Sequence, residues 1–368
     1  MLVSSQLSQV PTVEHLISLW SDRYLPNLSS LGIGDQPLVR NQLRRAATQS
    51  GRAETVAKLP QPLIEEKCKL AAIQVKDLYD RLADNCDLKE VIRLSRFTSQ
   101  VYLKLLELYQ EAPSADTASK ADLLETFGDS SLAAWGIPRI DKLAETLEPV
   151  LLDFQEQHII SKDWRVLGFI TTQINYSSTL LAEQLTPAER VLISPYFTFV
   201  EEQVALPWQR ICAATAQHQL DSPEFTLVKQ MLPVASEVSE AAFESFYAAF
   251  KKHRSRRGDL LNSAVKHSCL RDFSMFQGYL WLCVLQGSLR TVEQELVALC
   301  VMVMESIEVP WQMTVKGTEI LMEEILARLS FSQKELVSPY AEGMVNAFQN
   351  QTMKGPLAEH LVQNVAVR

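Results

Sequence analysis

One stretch decides the fold of this chain: residues 258–311 read GDLLNSAVKHSCLRDFSMFQGYLWLCVLQGSLRTVEQELVALCVMVMESIEVPW. Apolar residues such as Phe273 and Leu280 recur in it at roughly helical spacing. The pattern predicts one long helix, a short break at Gly287-Ser288, and a second helix that stops at Pro310. We therefore interpret the stretch as two consecutive helices.

Three neighbouring residues give the long helix a chemical character. Cys269 and Asp272 are three positions apart, so they share one face of a helix, and Arg271 lies to one side. A thiol, a carboxylate and a guanidinium thus form a small reactive and polar patch on an apolar rod. Lys266 and His267 are within one turn of the cysteine, and positive charge there would favour the thiolate, which is the reacting form of the sulfur.

The rest of the chain is also predicted to be helical. The sequence has few glycines and no alternating β-branched runs bounded by turn pairs. The pair Thr186 and Glu189, with Pro187 between them, predicts a capping box at the start of a helix. Further helices are predicted at residues 12–24, 62–84, 88–110, 121–135, 139–159, 164–184, 312–329 and 332–348, with a linker at 112–120.

Composition and charge exclude several classes of function. A net charge of −9 argues against nucleic acid as a partner, and the apolar runs are too short to span a membrane. The first residues lack the pattern of a secretory signal. The six cysteines form no CxxC pair, so all except Cys269 are expected to be buried free thiols, and no metal site is indicated.

Enzymatic activity is not expected. The sequence lacks the nucleophile-elbow, phosphate-loop, dinucleotide and zinc-protease motifs. Two acidic pairs, Glu201-Glu202 and Glu323-Glu324, are predicted to lie on solvated helix faces. The basic run 251–257 is interpreted either as a solvated helix end or as a docking patch for acidic surfaces or pigment carboxylates.

The C-terminal half resembles the phycobiliproteins, the bilin-carrying light-harvesting proteins of cyanobacteria and red algae, and is most similar to their allophycocyanin type. The resemblance rests on CLRD at 269–272, followed without a gap by LQGSLRTVEQELV and ESIEVPWQMT, and on the LTPAER opening at 185. It implies an all-α chain with a globin-like phycobiliprotein domain at 161–350. An N-terminal helical domain of unknown role would occupy 1–160, and a tail 351–368.

The same resemblance implies a cofactor site. Cys269 would form a thioether with a bilin of the phycocyanobilin type, Asp272 would hold the ring nitrogens, and Arg271 would meet a propionate, with Lys266 as a further cation. The sequence departs from the family where basic residues are common, at Ala264 and Val265. A second interpretation is therefore a pigment-free relative. Haem is disfavoured, because residues 291–307 contain no histidine.

Two functions follow from these observations. The first is a phycobilisome-associated or bilin-binding accessory protein of cyanobacterial photosynthetic light harvesting, located in the cytoplasm or at the cytoplasmic surface of thylakoids through phycobilisomes. The second is a pigment-free helical module for interaction or regulation. Expected partners are phycobilisome components or a second copy of the chain. Neither nucleic acid nor membrane insertion is expected.

Overall fold

The computed structural model describes residues 9–21, 24, 37–79, 88–111, 143, 146–147, 150 and 164–351. The described residues are almost entirely helical, which confirms the predicted all-α class. The helices are α1 (Pro11–Ser21), α2 (Pro37–Ala47), α3 (Gln49–Ala57), α4 (Gln61–Leu78), α5 (Leu88–Glu111), α6 (Trp164–Ala182), α7 (Pro187–Ala205), α8 (Trp208–Thr215), α9 (Pro223–Met231), α10 (Ala235–Ala249), α11 (Ser263–Gln286), α12 (Val297–Ser306), α13 (Trp311–Ala327) and α14 (Phe331–Gln349).

The chain divides into two compact units after Val234. This division differs from the predicted domain boundary at residue 160, which stays a prediction because its surroundings lie outside the described residues. The predicted helices at 121–135 and 139–159 and the linker at 112–120 fall wholly or largely outside them too, as does nearly all of the tail.

The first unit is built on the packing of α4 against α5 and α6, and of α6 against α7. It corrects one prediction, because Glu201 and Glu202 on α7 are buried rather than solvated. Each has a neutral donor: Tyr24 donates its hydroxyl to Glu202 Oε2 at 2.6 Å, and Asn175 donates its amide to Glu201 Oε2 at 3.4 Å. This burial could not be predicted from the sequence, because two adjacent acidic residues ordinarily indicate a solvent-exposed helix face.

The second unit is organised around α11, as the sequence predicted. The helix begins where the Asn262 side chain accepts hydrogen bonds from the amides of Ala264 and Val265, and it is buried continuously from Phe273 to Leu285. It ends at Gly287, whose φ of 62° is the left-handed conformation that glycine adopts without strain. α10 and α14 pack against it, and α13 packs against both of them.

Two short departures from a purely helical pattern occur among the described residues of the second unit. One turn of π-helix, Val292–Leu296, precedes α12. Strands β1 (Arg254–Ser255) and β2 (Gly258–Asp259) form a small antiparallel hairpin between α10 and α11. The sequence analysis did not detect this hairpin, because two-residue strands are too short to show an alternating pattern.

The expectation of buried free cysteines is confirmed for four of them. Cys68, Cys212, Cys283 and Cys300 are buried free thiols, whereas Cys269 is only half-buried. Cys86 lies outside the described residues. The cysteine with the predicted chemical role thus differs from these four in its exposure.

Candidate functional site

A pocket opens in the second unit beside the N-terminal half of α11. The space it encloses is about 760 Å³ when the open solvent at its mouth is included. The wall is formed by the end of α10, the β-hairpin, α11, the end of α12 with the loop that follows, and α13. Most of the lining is apolar, with Phe246, Phe273, Phe276, Met304 and Met313 among its members.

Cys269 and Asp272 both line this pocket, as their helical spacing predicted. Burial raises the pKa of the Cys269 thiol to about 12; the carboxylate of Asp272 adds to the rise, while Arg271 and Arg257 oppose it. At neutral pH the sulfur is therefore a protonated thiol, which is oxidised and alkylated slowly.

The other two predicted site residues do not line the pocket. Arg271 is bonded to Asp272, with Nη2 donating to Oδ1 at 2.7 Å. Lys266 is exposed, and its ammonium lies over the ring of Phe243 at 5.2 Å from the centroid, a cation–π contact. The structure therefore brings two of the four residues together in the pocket, and the roles assigned to all four remain predictions.

The hairpin contributes polar residues that the sequence did not place at the site. Arg257 lines the pocket and donates through Nη1 to the hydroxyl of Ser268 at 2.7 Å. His253 lines it as well. The basic run 251–257 was the available signal, but neither of its two interpretations, a solvated helix end or a docking patch for acidic surfaces or pigment carboxylates, could reveal which of its side chains turn inward.

Two polar atoms at the pocket have no hydrogen-bond partner among the described residues. They are Nε2 of His253 and Oγ1 of Thr314, both inaccessible to solvent. Thr314 lies on α13 and is 8% exposed. Because a buried polar atom without a partner is costly, these two groups mark places where a ligand could supply the missing hydrogen bond.

Metal binding and membrane insertion have no structural support within the described part of the chain. It contains no group of histidine, cysteine and acidic residues arranged to hold a metal ion. None of its helices is both long and apolar enough to cross a membrane.

Comparison with known families identifies part of the chain. The family model for phycobilisome proteins matches residues 213–348, which contain the pocket. This confirms the predicted resemblance for that part, and the C-terminal half of the chain contains a globin-like phycobilisome-protein domain. No curated protein and no solved structure gives a significant match.

The pocket suits a bilin, the open-chain tetrapyrrole that this family generally binds. A bilin has apolar rings, pyrrole N–H donors, ring carbonyls and two propionates. The apolar walls match the rings, the carboxylate of Asp272 can accept from N–H groups, and the unpaired oxygen of Thr314 needs a partner. The residues present therefore fit the group.

Proposed function

We propose that this protein is a bilin-binding accessory protein of the phycobilisome, without enzymatic activity, working at the cytoplasmic surface of thylakoids. The observation that carries the proposal is the apolar pocket into which α11 brings the thiol of Cys269 and the carboxylate of Asp272. The family match supports the phycobilisome role at a coarse level. A first unit that lies almost wholly outside the match favours an accessory role over that of an ordinary antenna subunit.

Each pocket residue has a stated role in the proposal. Cys269 would add its S–H across an exocyclic double bond of the pigment, so that a C–S bond forms, the proton moves to carbon and nothing leaves. Asp272 would accept hydrogen bonds from the pyrrole nitrogens. Phe273 and Phe276 would restrict the rings and exclude water. When bound, a bilin supplies absorption of visible light.

The protonation state of Cys269 bears on how attachment would proceed. With a pKa of about 12, only about one thiol in ten thousand is ionised at pH 8, so uncatalysed addition would be slow. We therefore propose that attachment requires a lyase or a proton acceptor. Such slow reaction would favour attachment to a pigment already held in the pocket over reaction with stray electrophiles.

The raised pKa of Cys269 also favours a second candidate function. A pigment-free relative would also have an unreactive thiol at this position and a hydrogen bond between Arg271 and Asp272. In that case the helical domains would bind phycobilisome components or a second copy of the chain. Covalent modification of Cys269 discriminates between the two functions.

The test is co-expression with a bilin-producing pathway and a panel of bilin lyases, followed by zinc-enhanced fluorescence of the denatured band. The wild type, Cys269→Ala and the matched control Cys212→Ala, a buried thiol of the first unit, are compared. We expect fluorescence in the wild type and the control and none in Cys269→Ala. A dark wild-type band without copurifying pigment would overturn the proposal and favour the pigment-free module.

A further inference from the structure

The basic hairpin presents alternate residues to the pocket. His253, Ser255 and Arg257 line it, whereas Arg254 and Arg256 do not. His253 and Ser255 alternate as in an extended chain, which places successive side chains on opposite faces, and Arg257 is the second residue of the turn between β1 and β2. One face of the hairpin is therefore part of the pocket wall, and Arg254 on the other face is exposed to solvent.

Several hydrogen bonds hold this hairpin in place. The Ser255 hydroxyl donates to the carbonyl of Gly258 at 3.1 Å and accepts from the amide of Arg257 at 3.2 Å. The amide of Arg256 donates to the carbonyl of Ile307 at 3.1 Å, so the hairpin is tied to the loop after α12. The inward side chains are thus positioned by the fold itself, which reduces the entropy cost of binding a ligand.

Arg257 is the only permanently charged cation among the described residues that line the pocket. Its bond to Ser268 anchors the guanidinium to α11, one residue before Cys269. A guanidinium has five N–H donors in a planar fork, so it can keep this bond and still bind a carboxylate. Arg271, by contrast, does not line the pocket.

His253 adds a second polar group on the same face. Its buried Nε2 lacks a partner among the described residues, and burial lowers the pKa of its imidazole. The neutral ring can donate one hydrogen bond to an anion, and an anion beside it would favour the doubly protonated form. In either protonation state, His253 can therefore donate a hydrogen bond to a carboxylate in the pocket.

We propose that the inward face of the hairpin, formed by His253, Ser255 and Arg257, is a carboxylate subsite, and that Arg257 rather than Arg271 binds a propionate of the ligand. That the ligand is a bilin rests on the function proposed above. The pocket would then orient its ligand, with the N–H groups of the ligand at Asp272 and its acid groups at the hairpin. A ligand whose acid groups are esterified loses this contact.

The experiment uses the full chain with Cys269→Ala, so that only reversible binding is measured. Biliverdin and its dimethyl ester are titrated against this protein by absorption. The same titrations are made with Arg257→Gln, with Arg257→Lys, with Arg271→Gln, and with Arg254→Gln, which removes one positive charge from the outer face of the same hairpin. Circular dichroism and the melting temperature verify the folding of each variant.

Arg257→Gln should weaken biliverdin binding about tenfold or more, because a charge-assisted hydrogen bond is lost, and leave the ester unaffected. Arg257→Lys should retain part of the affinity, and Arg254→Gln all of it. The inference is overturned if Arg254→Gln weakens binding as much as Arg257→Gln, if acid and ester lose affinity equally, or if Arg271→Gln alone removes the preference for the acid.

A second probe separates this inference from the proposed function. If neither biliverdin nor its ester binds, the bilin proposal fails, and 1-pyrenebutyrate is titrated against its methyl ester with the same variants. A preference for the acid that Arg257→Gln abolishes supports the carboxylate subsite without a bilin. Equal binding of acid and ester, or no binding of either, overturns it. Should Arg257→Gln fail to fold, Arg257→Lys and Ser268→Ala provide the same comparison.

Discussion

Arg271 and Asp272 are joined by two hydrogen bonds, from Nε at 3.1 Å and from Nη2 at 2.7 Å, and both end on Oδ1 of Asp272. The two charges act on Cys269 in opposite directions, since Asp272 raises the pKa of its thiol and Arg271 lowers it. Arg271 therefore partly offsets the effect of the Asp272 carboxylate on the pKa of the sulfur. Burial remains the larger cause of the raised pKa.

Removing the carboxylate should make the thiol more reactive. Asp272→Asn is expected to lower the pKa of Cys269, and the rate of its alkylation by iodoacetamide at pH 8.5 should rise about twofold to tenfold, because the rate follows the thiolate fraction. Arg271→Gln should slow alkylation. Mass spectrometry of the peptide that contains Cys269 measures both rates. If both variants changed the rate in the same direction, altered packing rather than charge would control the thiol.

His253 should make stability depend on pH. Its pKa in the folded protein is lowered by burial, so below the unfolded value of about 6.5 the unfolded chain binds a proton more readily than the folded one. The free energy of unfolding should therefore fall as pH decreases through about 6.5. His253→Gln should show a smaller fall between pH 7.5 and 5.5 in urea denaturation monitored by circular dichroism. An unchanged dependence would show that His253 is readily protonated in the folded state.

Gly51 should tolerate no larger residue. A Cβ at this position would collide with the backbone carbonyl of Arg45, at the junction of α2 and α3. Because backbone cannot move aside as a side-chain tip can, Gly51→Ala should lower the free energy of unfolding by about 2 kcal/mol or more. Ser50→Ala, at the exposed neighbouring position, is the matched control and should have little effect. Equal stability of the two variants would contradict this close approach.

The sequence predicted helices well where the pattern was long and carried its own end signals. The break at Gly287 and the capping box at Thr186 occur as predicted, because a left-handed glycine and a reciprocal cap are local interactions. The common face of Cys269 and Asp272 follows from helical geometry alone, and both residues reach the pocket. Local rules thus sufficed for the cysteine side of the site.

The opposite side of the site could not be predicted from one sequence. Thr314 and Met313 reach the pocket only because α13 packs against α10, and no local pattern encodes that contact. Arg257 turns inward because of a hairpin too short to leave a periodic signal. The helical spacing that placed Arg271 near Cys269 was correct, but it could not show that Asp272 would take its hydrogen bonds.

The cap of α7 allows one last prediction, in which local and distant contacts share a carboxylate. Glu189 Oε2 accepts from the amide of Thr186 at 2.8 Å, and its two oxygens accept from the ammonium of Lys58 at 2.7 and 2.8 Å. Although burial alone would raise the pKa of Glu189, Lys58 and Thr186 lower it below its ordinary value. The stability that this carboxylate contributes is present above its unfolded pKa of about 4.3 and is lost as pH falls through the folded value.

Thr186→Ala should therefore cost about 1 kcal/mol at pH 7, as is usual for an N-cap, and Lys58→Met should raise the pH at which acid unfolds the protein. The two changes should not be additive, because each weakens the hold on the same Glu189 carboxylate. Urea denaturation of the single and double variants at pH 7 and pH 4 measures the coupling. Strict additivity would contradict this account, since it would mean that the cap and the ion pair stabilise the first unit independently.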